Sequence, residues 1–188
     1  VYANWFYLGI CSALGGLAGW AILEPFFSDD PLNENKVAAI LMFPVVAGFI
    51  GLFLGAAEGI MCRNYGRAVL SGVVGLAVGF LGGLIALIPT SLVFLMMTSV
   101  ALSLQDGPLG EGDMPTGMAL LVLIMARGAA WSLASIPAGL GQGFALREKK
   151  VIINGLVGAV LGGLAGGLLF DPISLVLTTA NGEAAYSR

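Results

Sequence analysis

Long apolar runs without charges, separated by short polar turns, dominate the pattern along this chain. The hydrocarbon core of a bilayer is about 30 Å thick, so a helix that crosses it needs about 20 apolar residues. Runs of this size predict helices at about residues 5–24, 37–61, 68–89, 119–146 and 151–170. We therefore expect an all-α integral membrane protein whose residues 1–188 form a single domain of five transmembrane helices.

The third run is longer than one crossing requires. It continues without a charge from Ala68 to Leu104, which would be about 55 Å of helix at 1.5 Å per residue. Proline lacks a backbone donor and restricts the residue before it, so Pro89 is the predicted end of this helix. Residues 90–104 then form an apolar insertion, either a re-entrant or interfacial segment or a helical extension that a partner covers.

Composition agrees with a membrane protein and excludes several classes of function. Hydrophobic residues make up 58% of the chain and charged residues 10%. The net charge of -3 and the scarcity of cations argue against nucleic acid as a partner. Histidine is absent, and two cysteines are too few for a metal centre or a disulfide framework. We expect no catalytic residues, no metal, no cofactor and no enzymatic activity.

Lysine and arginine predict the orientation, because short cytoplasmic loops collect them. Five of the eight cations lie in the turns after the second and fourth runs, namely Arg63, Arg67, Arg147, Lys149 and Lys150. These turns are expected inside, which puts the amino terminus in the cytoplasm and the carboxyl terminus on the outer side.

The hairpin formed by runs two and three recurs in runs four and five. Residues of the second run recur 84 positions later, pairing Gly55 with Gly139, Glu58 with Gln142, Gly59 with Gly143, and Arg63 with Arg147. The glycines of the third run recur 83 positions later in the fifth, and the first run matches the fifth at a spacing of 147. The sequence thus predicts a parallel repeat of two and a half hairpins.

Glycines at intervals of three or four residues give each helix a bare groove, which allows close packing of membrane helices. We expect this glycine-zipper packing at Gly15, Gly19, Gly55, Gly59, Gly75, Gly79, Gly83, Gly139, Gly143, Gly158, Gly162 and Gly166.

Arg127 is the one charge deep inside an apolar run. Ionisable groups in a membrane are costly and usually face a partner inside the protein. The repeat puts Arg127 near the level of Glu24 and Asp171, so we expect an ion pair among these three. Its role is either structural or part of a substrate or ion site.

Glu58 and Gln142 occupy equivalent places, one turn from the basic turns. One interpretation is that they hydrogen-bond across packed helices or pair with Arg63 and Arg147. The other is that Glu58 lines a pathway.

The pattern Gly139-x-Gly-Gln-Gly143, then Arg147, then Asn154-Gly with repeated glycine pairs up to Phe170-Asp-Pro172, resembles a class of bacterial membrane regions. These are glycine-rich multi-pass segments of proteins that sometimes also carry forkhead-associated domains. The resemblance implies a protein of the bacterial inner membrane that works with other components.

Two functional hypotheses follow. The first is a non-enzymatic membrane subunit that anchors or scaffolds a larger complex, with the lipid bilayer, other membrane subunits or copies of itself as partners. The second is a channel or transporter subunit, in which Glu58, Gln142 or Arg127 lines a path for ions or small solutes.

Overall fold

Five long helices dominate the part of the chain that a computed structural model describes, residues 2–27, 36–105, 107, 115–146 and 148–181. They are α1 (Tyr2–Leu23), α2 (Lys36–Met61), α3 (Tyr65–Ser103), α4 (Gly117–Leu146) and α5 (Lys149–Asn181), and a 3-10 turn over Glu24–Phe26 follows α1. All five are long and apolar enough to cross a membrane. The prediction of an all-helical chain with five membrane-spanning helices is confirmed at this level.

Two predicted helix ends are wrong, because α3 and α5 both continue through an internal proline. α3 passes through Pro89 to Ser103, and α5 passes through Pro172 to Asn181. A proline removes one hydrogen bond from the helix, whereas unwinding within hydrocarbon would leave several backbone groups without any partner. Of the apolar insertion predicted at residues 90–104, residues 90–103 form the last third of α3, which agrees with the alternative of a helical extension.

α3 lies at the centre of the arrangement and packs against both α2 and α4. α2 also contacts α4, so these three helices form a core. α1 packs on α2, and α5 packs on α4. α1 and α5 are thus peripheral, and the share of buried residues in their most apolar stretches is 17% and 6%, against 33% in α3.

The core is built from small side chains. Apart from Leu23 and three prolines, the buried apolar side chains in the described part of the chain are all alanines, among them Ala57, Ala119 and Ala126. Large apolar side chains such as Ile85 and Met96 are instead about two thirds exposed or more. This distribution suits a bilayer, where large apolar groups gain nothing by leaving the lipid and small residues let helices approach closely.

Glycines bring the backbones of α2 and α3 together. A Cβ atom added at Gly75 would collide with the carbonyl oxygen of Gly51, and one at Gly79 would collide with that of Ala47. A Cβ atom at Gly83 would lie 2.7 Å from the Cα of Pro44. Towards the other end of the pair, Gly55 lies against Ser71 and Gly59 against Ala68.

The backbones of three helices meet at one point. Gly51 of α2 and Gly75 of α3 are in mutual contact, and Gly141 of α4 faces both of them. A Cβ atom added at Gly141 would lie 3.0 Å from the oxygen of Gly75 and 3.3 Å from the Cα of Gly51. We call these residues the three-glycine junction. Because it joins α2, α3 and α4, it fixes the relative height of the core helices.

The peripheral helices also use glycine contacts. In α1, Gly15 lies against the backbone of Phe49 and Gly19 against that of Val46, where added Cβ atoms would approach to 2.7 and 2.8 Å. At the cytoplasmic end predicted for the α4–α5 pair, Gly139 faces Gly155. In the same pair, Gly143 lies against Ile152.

Candidate functional site

Arg127 and Asp171 form an ion pair between α4 and α5. Nη1 of Arg127 lies 2.9 Å from Oδ1 of Asp171, whose side chain is fully buried, while that of Arg127 is 22% exposed. The two groups are close without the alignment of a hydrogen bond, and neither oxygen of Asp171 has a hydrogen-bond partner within the described residues. The structure therefore brings together two of the three groups that the sequence analysis combined. The third, Glu24, lies in the 3-10 turn after α1.

An aromatic series connects this ion pair to α2. The guanidinium carbon of Arg127 lies 4.6 Å from the ring centroid of Phe170, a cation–π contact. Phe170 contacts Trp131 at 5.4 Å between ring centroids, and Trp131 meets Phe43 edge to face at 6.2 Å. Four side chains from three helices thus form a continuous layer across the half of the bundle that lies away from the α2–α3 turn.

Glu58 pairs with Arg67 rather than with the predicted Arg63. Oε1 of Glu58 accepts a hydrogen bond from Nη2 of Arg67 at 3.1 Å, and both side chains are partly exposed. Arg63 has a left-handed backbone (φ 54°) in the turn after α2. The side chain of Asn64 then caps α3 by accepting from the backbone N–H of Arg67 at 3.0 Å. The Glu58–Arg67 pair therefore links the end of α2 to the first turn of α3.

The predicted partners in the second hairpin, the Gln142 side chain and Arg147, lie outside the described residues.

Two serines of α4 bind the backbone of α5, and sequence reasoning missed both. Oγ of Ser135 donates to the carbonyl of Ala159 at 2.6 Å, while Oγ of Ser132 lies 2.9 Å from the carbonyl of Gly128 in its own helix and 3.2 Å from that of Val160 in α5. Serine hydroxyls that cross to a neighbouring helix stabilise membrane bundles. Their spacing of three residues on one face of α4 is the sequence signal that could have identified them.

The α5 face that packs on α4 is one residue away from the predicted one. Gly163 lies against Trp131 and Ser135, and Gly167 lies against Arg127 and Gly128. The predicted packing residues of α5 lie elsewhere. An added Cβ atom would meet nothing within 4 Å at Gly158 and Gly162, and at Gly166 it would only touch the ring of Trp131 at 3.6 Å.

Gly158 and Gly162 instead line an open groove between the two peripheral helices. The groove has a volume of about 700 Å³ and is open along one side. Its lining comes from α1 between Ser12 and Trp20, α2 between Met42 and Leu54, α4 between Trp131 and Gly139, and α5 between Gly155 and Gly163. We call it the α1–α5 groove. Its lining is mostly apolar, and the Trp131 ring lies at its outer end.

The described side chains form no metal site. Within the described residues, no group of three or more Cys, Asp or Glu side chains could hold a metal ion. The cysteines are separate thiols, with Cys11 half-buried and Cys62 exposed. The candidate site is therefore the apolar α1–α5 groove with the Arg127–Asp171 pair beyond its outer end.

Comparisons with protein-family models, curated proteins and solved structures give no significant match. The resemblance to glycine-rich bacterial membrane regions stays a prediction from the sequence.

Proposed function

We propose that this chain is a non-enzymatic membrane subunit whose outer end binds another membrane protein, so that it anchors or scaffolds a larger complex. The observation that carries this proposal is the length of α3. Its 39 residues give about 58 Å of helix at 1.5 Å per residue. Even at a tilt of about 40°, the upper end of the observed range, this length projects about 45 Å along the membrane normal. That exceeds the hydrocarbon core of about 30 Å.

The excess length lies at the outer end of α3. The other end begins beside the Glu58–Arg67 pair, whose partly exposed charges belong at a membrane surface. α2 begins at Lys36, and its contact between Pro44 and Gly83 puts that start near Thr90 of α3. The residues of α3 after Thr90 therefore extend about 20 Å beyond α2. We call residues 91–103 the α3 overhang.

The α3 overhang exposes large apolar side chains. Leu95 and Met96 are each 67% exposed, and Leu92, Val100 and Leu102 are each more than half exposed. Ala101 is buried on another side of the helix. A contiguous apolar surface outside the hydrocarbon core favours association with another protein. The partner is a second membrane subunit or another copy of this chain.

The finer architecture belongs to the same proposal. Gly55 against Ser71 and Gly139 against Gly155 are nearly equivalent contacts in the two hairpins, which supports a repeated unit packed by glycines. The resemblance supports the bacterial inner membrane as the location, and the basic turns support a cytoplasmic amino terminus.

Transport is the weaker hypothesis. The residues that line the α1–α5 groove do not include Arg127 or Glu58. The hydroxyl of Ser135, which does line the groove, is already bound to the carbonyl of Ala159 in α5. These groups therefore offer little to a polar solute.

Site-specific photocrosslinking tests the proposal with a matched pair of positions. Met96 and Ile85 are eleven residues apart, so they lie on the same face of α3, and they are 67% and 73% exposed. A photoreactive residue at Met96, in the overhang, is expected to give a discrete protein adduct in native membranes. At Ile85, which is exposed at the depth where α2 and α3 pack together, it is expected to react with lipid.

Two differently tagged copies, expressed together, would show whether the adduct is a second copy of the chain. Lipid adducts alone at both positions, with a monodisperse monomer in mild detergent, would contradict the scaffold function.

A further inference from the structure

We infer that the end of the bundle formed by the α2–α3 turn and the start of α5 binds the phosphate headgroup of an anionic phospholipid. Four exposed cations lie there: Arg63 in the turn after α2, Arg67 in the first turn of α3, and Lys149 and Lys150 at the start of α5. We call these four residues the basic cluster. It lies at the opposite end of α3 from the α3 overhang, so it is separate from the proposed partner surface.

The three-glycine junction puts both parts of the basic cluster at nearly the same height. Arg67 precedes Gly75 in α3, which puts it about 12 Å from the junction at 1.5 Å per residue. Gly143 packs against Ile152, so the start of α5 at Lys149 lies about 8 Å from the junction in the same direction. α4 packs on both α2 and α3, so its end also lies beside the start of α3. The long, flexible side chains of lysine and arginine can span the remaining difference of about 4 Å.

The charges of the basic cluster are only partly compensated within the chain. Among the described residues, Arg67 is the one member of the cluster with an ion-pair partner, which is Glu58. Glu148 is the other acid near the cluster, and it is exposed. The remaining nine acids of the chain adjoin the opposite ends of the helices, at residues 24–34, 106–113 and 171–183. A chain with a net charge of -3 therefore has a local excess of positive charge at this end.

Large apolar side chains are exposed next to the basic cluster, on the side of the hydrocarbon. Leu70 in α3, Phe144 in α4 and Ile153 in α5 are each more than half exposed. Leu70 lies about one helical turn beyond Arg67, and Ile153 lies about one turn beyond Lys150. A phospholipid has its phosphate just outside the hydrocarbon core and its acyl chains inside it. One lipid can therefore contact the cations and the apolar side chains at the same time.

Charge complementarity favours an anionic phospholipid over the other anions at a membrane surface. Basic clusters beside membrane helices attract anionic lipids, and each lysine or arginine near the surface strengthens binding about fivefold. Phosphatidylcholine has a positive group that offsets its phosphate, and free phosphate gains nothing from exposed apolar side chains. An anionic phospholipid provides both the net negative charge and the hydrocarbon. Its phosphate bridges the α2–α3 turn and the start of α5, and so links the two hairpins.

Lipid titration in a neutral detergent tests this inference. Native mass spectrometry of the purified wild-type protein is expected to show saturable binding of phosphatidylglycerol, about tenfold or more tighter than that of phosphatidylcholine. A Lys149→Gln/Lys150→Gln variant should weaken phosphatidylglycerol binding about tenfold or more, and Arg63→Gln about fivefold. All three side chains are exposed, so their replacement should leave the fold intact.

Two matched variants are the controls. Glu148→Gln removes an acid from the same end, so it should strengthen phosphatidylglycerol binding about twofold or more. Lys36→Gln removes a cation at the start of α2, at the opposite end, and should leave binding unchanged. Equal affinity for the two lipids, or equal weakening by Lys36→Gln and Arg63→Gln, would overturn the inference. So would displacement of phosphatidylglycerol by inorganic phosphate at constant ionic strength, since the ligand would then be a soluble anion.

Discussion

The guanidinium of Arg127 and the carboxylate of Asp171 lie 2.9 Å apart, and the carboxylate is wholly buried. Each residue lies on a helix that is apolar enough to span a membrane. A lone charge in such surroundings is costly, so each group stabilises the other. The cation–π contact with Phe170 adds a second interaction for Arg127. The pair therefore fixes the height of α5 relative to α4.

Replacing one member of this pair should destabilise the protein strongly. Removal of one partner from a buried ion pair costs about 3–5 kcal/mol, because the other charge remains buried alone. We expect Arg127→Met to lower the free energy of unfolding by about that amount in mixed detergent micelles. The Arg127→Met/Asp171→Asn double variant should lose less than the single one.

The Glu58–Arg67 pair is the control for this comparison. Its side chains are 34% and 52% exposed, so Arg67→Met should cost no more than about 1 kcal/mol. If the double variant loses as much unfolding free energy as the two single variants together, then Arg127 and Asp171 do not stabilise each other.

The contact glycines of the core should not tolerate alanine. Gly75→Ala would push a methyl group into the Gly51 carbonyl, and we expect a loss of about 1–3 kcal/mol in unfolding free energy. Gly158→Ala is the matched change at an open position, and it should be neutral or slightly stabilising. Equal losses at both positions would indicate a general effect of replacing glycine rather than loss of packing.

The bond between Ser135 and the α5 backbone should contribute modestly. Interhelical hydrogen bonds in membrane proteins average about 0.6 kcal/mol, with a maximum of about 1.7. Ser135→Ala should therefore lower the unfolding free energy by about 1 kcal/mol or less. Ser99→Ala provides the comparison, since its hydroxyl bonds within its own helix to Met96 at 2.7 Å. If Ser99→Ala lowered the unfolding free energy more than Ser135→Ala, the interhelical bond of Ser135 would not be a stabilising contact.

Native Cys62 allows a test of the predicted orientation. It is exposed in the turn between α2 and α3, which the positive charges predict to lie in the cytoplasm. A membrane-impermeant maleimide should label it only after the cells are permeabilised. In a Cys62→Ser background, Gly107→Cys, in the opposite loop, should be labelled in intact cells. The reverse pattern would mean that the amino terminus lies outside.

The number of helices followed from run lengths because the bilayer sets a minimum length for an apolar crossing. The helix ends predicted at Pro89 and Pro172 were wrong, because proline stops helices mainly where water satisfies the freed backbone groups. Inside hydrocarbon, continuation of the helix is the less costly solution. The same reason explains why Pro44 and Pro137 lie within α2 and α4.

The packing face of α5 was beyond prediction from glycine spacing alone. Gly158 and Gly162 form one regular stripe, and Gly163 and Gly167 form another beside it. The side chains of α4 determine that Gly163 and Gly167, rather than Gly158 and Gly162, form the contact. The predicted repeat pairs Ala47 and Gly51 of α2 with Trp131 and Ser135 of α4. These two residues are larger, and Ser135 donates a hydrogen bond to α5. A contact between two helices depends on both surfaces, and the pattern of one helix leaves the choice open.

Gly51 and Gly75 constrain one another's evolution, because a methyl group at either one would collide with the carbonyl of the other. Gly141 is held less strictly, since a methyl group there would lie 3.0 Å from the oxygen of Gly75 and would need only a small shift of its neighbours. Once Gly51 or Gly75 is replaced, α2 and α3 lie further apart, and a larger residue at the other position does little additional harm. Lineages of this protein will therefore keep both of these glycines or lose them together.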